Sequence, residues 1–263
     1  MITLNDFYQG FRDPKTIAHL AALIREQAAL TTAQINIMEV CGGHTHTIMK
    51  YGLLQLLPNN IRFIHGPGCP VCVMPKERID HAAVLASQEN VILVTLGDMI
   101  RVPGSMGSLA QFRSQGCDIR PLYDPLDALT IARDNPDKTV IFFAIGFETS
   151  TPMTAALLAQ AEAQNIANLL FHINHVLVPP AIDAVMADSR AQVNAFIGPA
   201  HVSVISGAKI YQPAVDTYNT PVVVSGFEPV DVMESILRIV KQKVANEAKL
   251  DIQYSRSVTY EGN

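Results

Sequence analysis

What most constrains this chain is a recurring unit. A short apolar, β-branched run stops abruptly at glycines or polar residues, and a segment with helical spacing follows. The runs fall at residues 35–40, 61–64, 91–96, 119–123, 139–145, 169–173, 195–197 and 222–225. Runs of this length, bounded by turn formers, read as buried strands. The intervening segments read as helices at 44–57, 76–89, 109–115, 127–133, 151–165, 179–189, 210–218 and 229–247. Asp13-Pro14 opens a further helix before the first strand, with Ile17, Leu20, Ala21 and Ile24 on its apolar side. Strict alternation of strand and helix specifies an α/β fold with largely parallel sheets. A length of 263 residues fits about two domains. The expected organisation is two Rossmann-like domains with a cleft between them, at 1–118 and 119–228. Residues 229–263 then form a C-terminal helix and a tail with little pattern.

Composition agrees. Apolar residues make up 49% and charged residues 16%, as expected for sheets covered on both faces. The net charge of −5, without any Lys/Arg block, argues against nucleic acid or an anionic membrane as a partner. No apolar run approaches the roughly 20 residues of a membrane span. Residues 1–6 show no basic stretch followed by an apolar one, so no leader is expected and a cytoplasmic location is. Four cysteines in such a chain point to metal or redox chemistry rather than structural disulfides.

Three of those cysteines sit in strand-end motifs. Cys41-Gly-Gly-His-Thr-His46 follows the run at 35–40, and Gly66-Pro-Gly-Cys-Pro-Val-Cys72 follows the run at 61–64. In open α/β sheets, ligands bind outside the carboxyl ends of the strands. Both motifs are therefore expected to face one crevice. A thiol between a strand and a helix sits at the positive end of the helix dipole, so the Cys41 pKa is expected to be lowered. Gly42 and Gly43 would leave room for a bulky group at the sulfur. His44 and His46, two residues apart, should point in different directions. The bland alternative is a buried, unreactive cysteine with two capping histidines. Cys69-Pro-Val-Cys72 reads equally well as a reversible dithiol or as half of a metal site completed by Cys41 and a histidine. Cys117, alone in its stretch, reads as a structural thiol.

Asp98, Arg101, Glu148, His175 and His201 each lie just beyond a strand. Singly, each is more often a cap or a satisfied hydrogen-bonding group; together they are candidates for a shared crevice. No nucleotide-binding loop is present: Gly104-Ser-Met-Gly107 lacks the lysine and the spacing. A faint internal echo links Met38-Glu-Val-Cys-Gly-Gly with Ala144-Ile-Gly-Phe-Glu-Thr, and Gly-Phe-Glu recurs at 146–148 and 226–228.

In these motifs the chain resembles the HypD family of hydrogenase maturation factors. The resemblance rests on both cysteine motifs, with the second continuing Val-Met-Pro75, and on Gly97-Asp-Met-Ile-Arg-Val-Pro-Gly104. Gly146-Phe-Glu-Thr149, Pro199-Ala-His-Val-Ser203 and Gly226-Phe-Glu-Pro229 complete it, in that order. It implies a scaffold that builds the Fe(CN)2CO group of [NiFe] hydrogenases. By that resemblance Cys41 binds iron together with a thiolate of a HypC-type small chaperone. Cys69 and Cys72 form a redox pair that also contacts iron, and a HypE-type partner donates cyanide. His44, Glu148 and His201 line the site, where soft thiolates suit the iron and His or Arg donors suit cyanide nitrogens. The family also carries a [4Fe-4S] cluster in a cysteine-rich C-terminal region. Its ligands are absent from these residues, since Cys117 is the only other cysteine, so the chain is expected to be a fragment. Two readings from other classes are a thiol–disulfide oxidoreductase using Cys69/Cys72 and a structural zinc protein.

Overall fold

A computed structural model describes residues 8–263; residues 1–7, on which the expectation of no leader rests, lie outside the described residues. Two compact units emerge. One comprises residues 1–69 and 178–263, the other residues 70–177. This division differs from the sequential segments 1–118 and 119–228, because the second unit is inserted into the first.

The first unit contains β1 (Ile35–Glu39), β2 (Ile61–His65), β7 (Ala195–Pro199), β8 (Val222–Ser225) and β9 (Leu250–Ile252). All pair in parallel, in the order β2-β1-β7-β8-β9. One face is covered by α1 (Pro14–Ala28) and the long C-terminal helix Pro229–Val244. In α1 the buried residues Ile17, Ala21, Ile24 and Ala28 recur every three or four positions, one apolar stripe. Asp13 caps the helix by accepting from the backbone N–H of Thr16 at 2.9 Å. Helix α2 (Gly42–Lys50) follows β1. It is shorter than the expected 44–57, because Gly52 turns left-handed (φ 60°) and the chain continues as a 3-10 turn, Leu53–Leu56.

The tail expected to lack pattern supplies β9, which adds to the edge of β8 with Val222 opposite Leu250. Long-range contacts order it. The Arg256 guanidinium donates to both oxygens of Asp231, at 3.0 and 2.7 Å. It also lies over the rings of Phe11 and Tyr254, at 4.2 and 3.9 Å.

The second unit contains β3 (Val91–Leu96), β4 (Ile119–Leu122), β5 (Thr139–Gly146) and β6 (Leu169–His175), parallel, in the order β4-β3-β5-β6. Its core is a sheet between two helical layers. Along β5, Ile141, Phe143 and Ile145 face Ile79, Ala82 and Leu109. Val140, Phe142 and Ala144 face Ala128, Leu129 and Leu157 on the other side. A strand buried on both faces needs this near-continuous apolar run. The fold is α/β with two parallel sheets, consistent with two Rossmann-like units. Among the described residues no helix is long and apolar enough to cross a membrane.

Candidate functional site

Strand order decides where a site can form. In the first sheet the chain runs outward from β1 to β2, then returns to the other side of β1 with β7. The carboxyl ends of β1 and β7 thus flank a topological switch point, the place where open α/β sheets leave a crevice. Cys41 stands two residues beyond β1, and His201 two residues beyond β7, in helix Ala200–Ser206.

Cys41 is the N-cap of α2, with extended backbone (φ −152°, ψ 129°). The backbone N–H of Gly43 and that of His44 lower its thiol pKa, as the helix-dipole argument anticipates. Burial raises it more, and the nearby Glu39 carboxylate adds to the rise. The net shift is upward, the reverse of the sequence expectation. The dipole was legible in the order strand–Cys–helix; the burial was not. Cys41 is accordingly a protonated thiol until something displaces its proton.

The two glycines after it play different parts. A Cβ on Gly43 would stand 2.8 Å from the Phe227 ring, so Gly43 seats that ring. At Gly42 a Cβ would meet nothing within 4 Å. Only Gly42 therefore opens space beside Cys41. Phe227 carries two histidines. The His44 ring stacks on it at 4.5 Å and 23°, and the His201 ring tilts against it at 5.2 Å and 53°.

His44 points inward and is fully buried, whereas His46 points to solvent. Burial lowers the His44 pKa to about 4, against the pull of the Ser225 and Gly226 carbonyls. Those carbonyls lie 3.3 and 3.2 Å from Nε2 and can only accept. The neutral ring therefore holds its single proton on Nε2 and commits it to them. Nδ1 is a buried acceptor with no partner among the described residues. His44, expected from the sequence to line the site, thus has no ring proton left to offer a ligand; it anchors the Gly226-Phe227 turn. Thr47, one helical turn on, donates to the Phe227 carbonyl and completes the anchor. His201 is exposed on one side and packed on the other, and burial of the packed side lowers its pKa.

The second motif lies on the first. A Cβ on Gly68 would stand 2.8 Å from Cys41 Cα, and one on Gly66 would stand 2.7 Å from the Glu39 carbonyl. The Gly-Pro-Gly sequence thereby lets the loop carrying Cys69 lie against the Cys41 turn. Cys69 is exposed and ends the first unit. Cys72, also exposed, lies in the one-turn helix Pro70–Val73 that begins the second. That turn falls between the run at 61–64 and the helix expected at 76–89, where the three prolines Pro67, Pro70 and Pro75 suggest loop. No disulfide links any of the four cysteines. Sequence reasoning missed Glu39 and His65. Glu39 is 1% exposed and accepts from Thr45 Oγ1 at 2.6 Å and, in a short contact, from His65 Nδ1. The available signal was a glutamate inside an apolar strand, which burial permits only with partners.

Asp98, Arg101, Cys117, Glu148 and His175 belong to the second unit. Asp98 and Arg101 are exposed in the 3-10 turn Gly97–Arg101 after β3. Glu148 follows β5 and is half-buried. His175 ends β6, Nε2 lying 2.9 Å from Thr154 Oγ1, and burial lowers its pKa. Cys117 lies 3.7 Å from Ser87 Oγ. The internal echo does not mark equivalent places. Cys41 follows the first strand of its unit, Gly146 ends the third strand of the other, and Gly226 follows the fourth strand of the first. Among the described residues no three His, Cys, Asp or Glu side chains gather as a metal site.

Comparison with known proteins names the chain's relatives. The HypD family model, described as "Hydrogenase formation hypA family", matches residues 15–263. Hydrogenase maturation factor HypD of Azotobacter vinelandii is 48% identical over 263 residues, covering 98% of this chain and 69% of that protein. HypD of Escherichia coli (strain K12) is 44% identical over 261 residues, covering 98% and 70%. HypD of Cupriavidus necator is 43% identical over 264 residues, covering 98% and 69%. On a match across nearly its whole length, this chain belongs to the HypD family of hydrogenase maturation factors.

Proposed function

We propose that this chain is the scaffold on which the Fe(CN)2CO group of a [NiFe] hydrogenase is assembled, with Cys41 as an iron ligand. The observation that carries the reading is the placement of Cys41. It is a single thiol at a parallel-sheet switch point, with open space at Gly42 and a second thiol-bearing loop laid against it. A resident metal is normally caged by three or four protein donors. A cargo iron whose other positions are filled by cyanide and carbonyl needs few, and one or two soft thiolates suit it.

Cys41 loses its proton as it binds iron, and the burial that raises its pKa also shields the bond from water. Cys69 and Cys72 add a second contact to iron or a redox pair. A HypC-type chaperone supplies a further thiolate, and a HypE-type partner supplies cyanide. His201 is the donor available to a cyanide nitrogen, since His44 has committed its proton. Glu148 remains a candidate on the second unit. Cytoplasmic assembly fits this chemistry, since thiols that must bind iron stay reduced in a reducing compartment. The thiol–disulfide oxidoreductase reading draws on the exposure of both thiols, with Cys69 just before a one-turn helix and Cys72 within it. A structural zinc site has the least support, for want of a gathered donor set among the described residues.

The test is infrared spectroscopy of the protein co-purified anaerobically with its small chaperone, beside Cys41→Ala. Cyanide and carbonyl stretching bands present in the first and absent from the second are expected. Bands that survive Cys41→Ala would overturn the ligand assignment. Absence of bands and of iron from both, with disulfide exchange intact in Cys41→Ala, would favour the oxidoreductase.

A further inference from the structure

Glu39 is the last residue of β1, two before Cys41, and its carboxylate draws three segments together. Oε1 accepts from Thr45 Oγ1 at 2.6 Å, on the helix that follows Cys41. It also accepts from His65 Nδ1, at the end of β2. Oε2 accepts from the backbone N–H of Gly66 at 3.2 Å, in the loop that leads to Cys69. The same N–H meets the Glu39 backbone carbonyl at 2.9 Å. We propose that Glu39 is a positioning residue, a buried clasp that sets the separation of the Cys41 and Cys69 thiols.

The arrangement suits a carboxylate. A hydroxyl, a ring N–H and a backbone N–H all donate toward it, and both oxygens accept. Glutamine has the same shape but must give its one oxygen to the fixed Gly66 N–H. Thr45 and His65 then have to turn round and accept from its NH2, and every contact loses its charge assistance. Aspartate, one methylene shorter, cannot span both helix and loop. Gly66 and Gly68 lie with their backbone against Glu39 and Cys41 and bring no side chain of their own to that contact. The Gly66 N–H makes two hydrogen bonds there, both to Glu39. The inference rests on the assembly reading only for its purpose, which is to present two thiols to one cargo; the geometry is measured without iron.

The test uses the full chain, metal-free and reduced, with Cys72→Ser and Cys117→Ser so that Cys41 and Cys69 are the only thiols. Dibromobimane, which fluoresces strongly when it bridges two thiols, reads their separation; a monofunctional bimane reads the accessibility of each. Bridging is expected in this background. Glu39→Gln should lower the bridged yield about tenfold, the equivalent of one lost charge-assisted hydrogen bond, while both thiols still label singly. Thr45→Val should lower it too, and Thr45→Ser, which keeps the hydroxyl, should restore it at equal thermal stability. The Thr45 pair carries the test if Glu39→Gln does not fold. No bridging in the background, an undiminished yield in folded Glu39→Gln, or a Thr45→Ser that behaves like Thr45→Val would each overturn the clasp. Failure of the infrared experiment alone would leave it standing and remove the iron assignment.

Discussion

The two sheets share the order of their first four strands and differ in what stands at the equivalent place. In each, the first strand of the unit lies between the second and the third, so each has a switch point of the same kind. At the first, the residues beyond the strands are Cys41 and His201. At the second they are Asp98 and Glu148. One offers a soft sulfur in a partly buried turn against an aromatic platform. The other offers carboxylates, with Asp98 exposed in a 3-10 turn. Topology thus supplies the position and says nothing of the chemistry. The residue at the strand end, and the packing around it, decide what chemistry the position can do.

The difference in burial can be tested most strongly with acid. His44 is fully buried and neutral, with its pKa lowered to about 4, whereas an unfolded histidine titrates near 6.5. The unfolded chain therefore takes up a proton that the folded one refuses. Stability from this group is full above pH ~6.5 and is lost as pH falls toward about 4, by roughly 3 kcal/mol in all. Urea unfolding between pH 7 and pH 4.5 should show that slope, and His44→Leu should flatten it. His175 in the other unit is half-exposed and should account for little of it. A slope that persists in His44→Leu and vanishes in His175→Gln would reverse the contrast.

A smaller effect separates the two adjacent glycines. Gly43→Ala drives a methyl into Phe227 and should cost about 1–3 kcal/mol, as overpacking does. Gly42→Ala enters open space in the first turn of a helix. It should be neutral, or stabilising by up to about 1 kcal/mol. Equal effects in thermal unfolding would mean that Phe227 is not seated as described. The smallest expected effect is kinetic. At pH 7 iodoacetamide should modify the exposed Cys69 about tenfold faster than Cys41, whose thiol burial keeps protonated. The gap should narrow as pH rises; a Cys41 that reacts first would restore the dipole-lowered thiol.

Much of this was legible from residues 35–46 and 61–72 alone. The β-branched runs gave away the strands, and the glycines after them gave away the strand-end loops. The helix after Cys41 was overextended, since Gly52 could be read as an interior glycine until its left-handed backbone was seen. The strand at Leu250–Ile252 was missed because three residues carry no period. Its partner Val222–Ser225 and the Arg256–Asp231 pair supply the order that local sequence lacks. Of the site, Cys41, Cys69, His44 and His201 were readable by type and position. Glu39, inside an apolar run, and Phe227, inside a repeated Gly-Phe-Glu, were not.

The amino-acid sequence by itself determined the element types, the residues that stand at the strand ends and the family. These follow from periodicities of two and about 3.6 residues and from motifs only a few residues long. Tertiary structure alone decided three things. It placed β7 beside β1, so that Cys41 and His201 flank one switch point. It raised the Cys41 pKa where the local helix would lower it. It also committed the His44 proton to two carbonyls more than 180 residues away in the chain. Each depends on which distant surfaces exclude water together, and burial of that kind is settled only when the whole chain has packed.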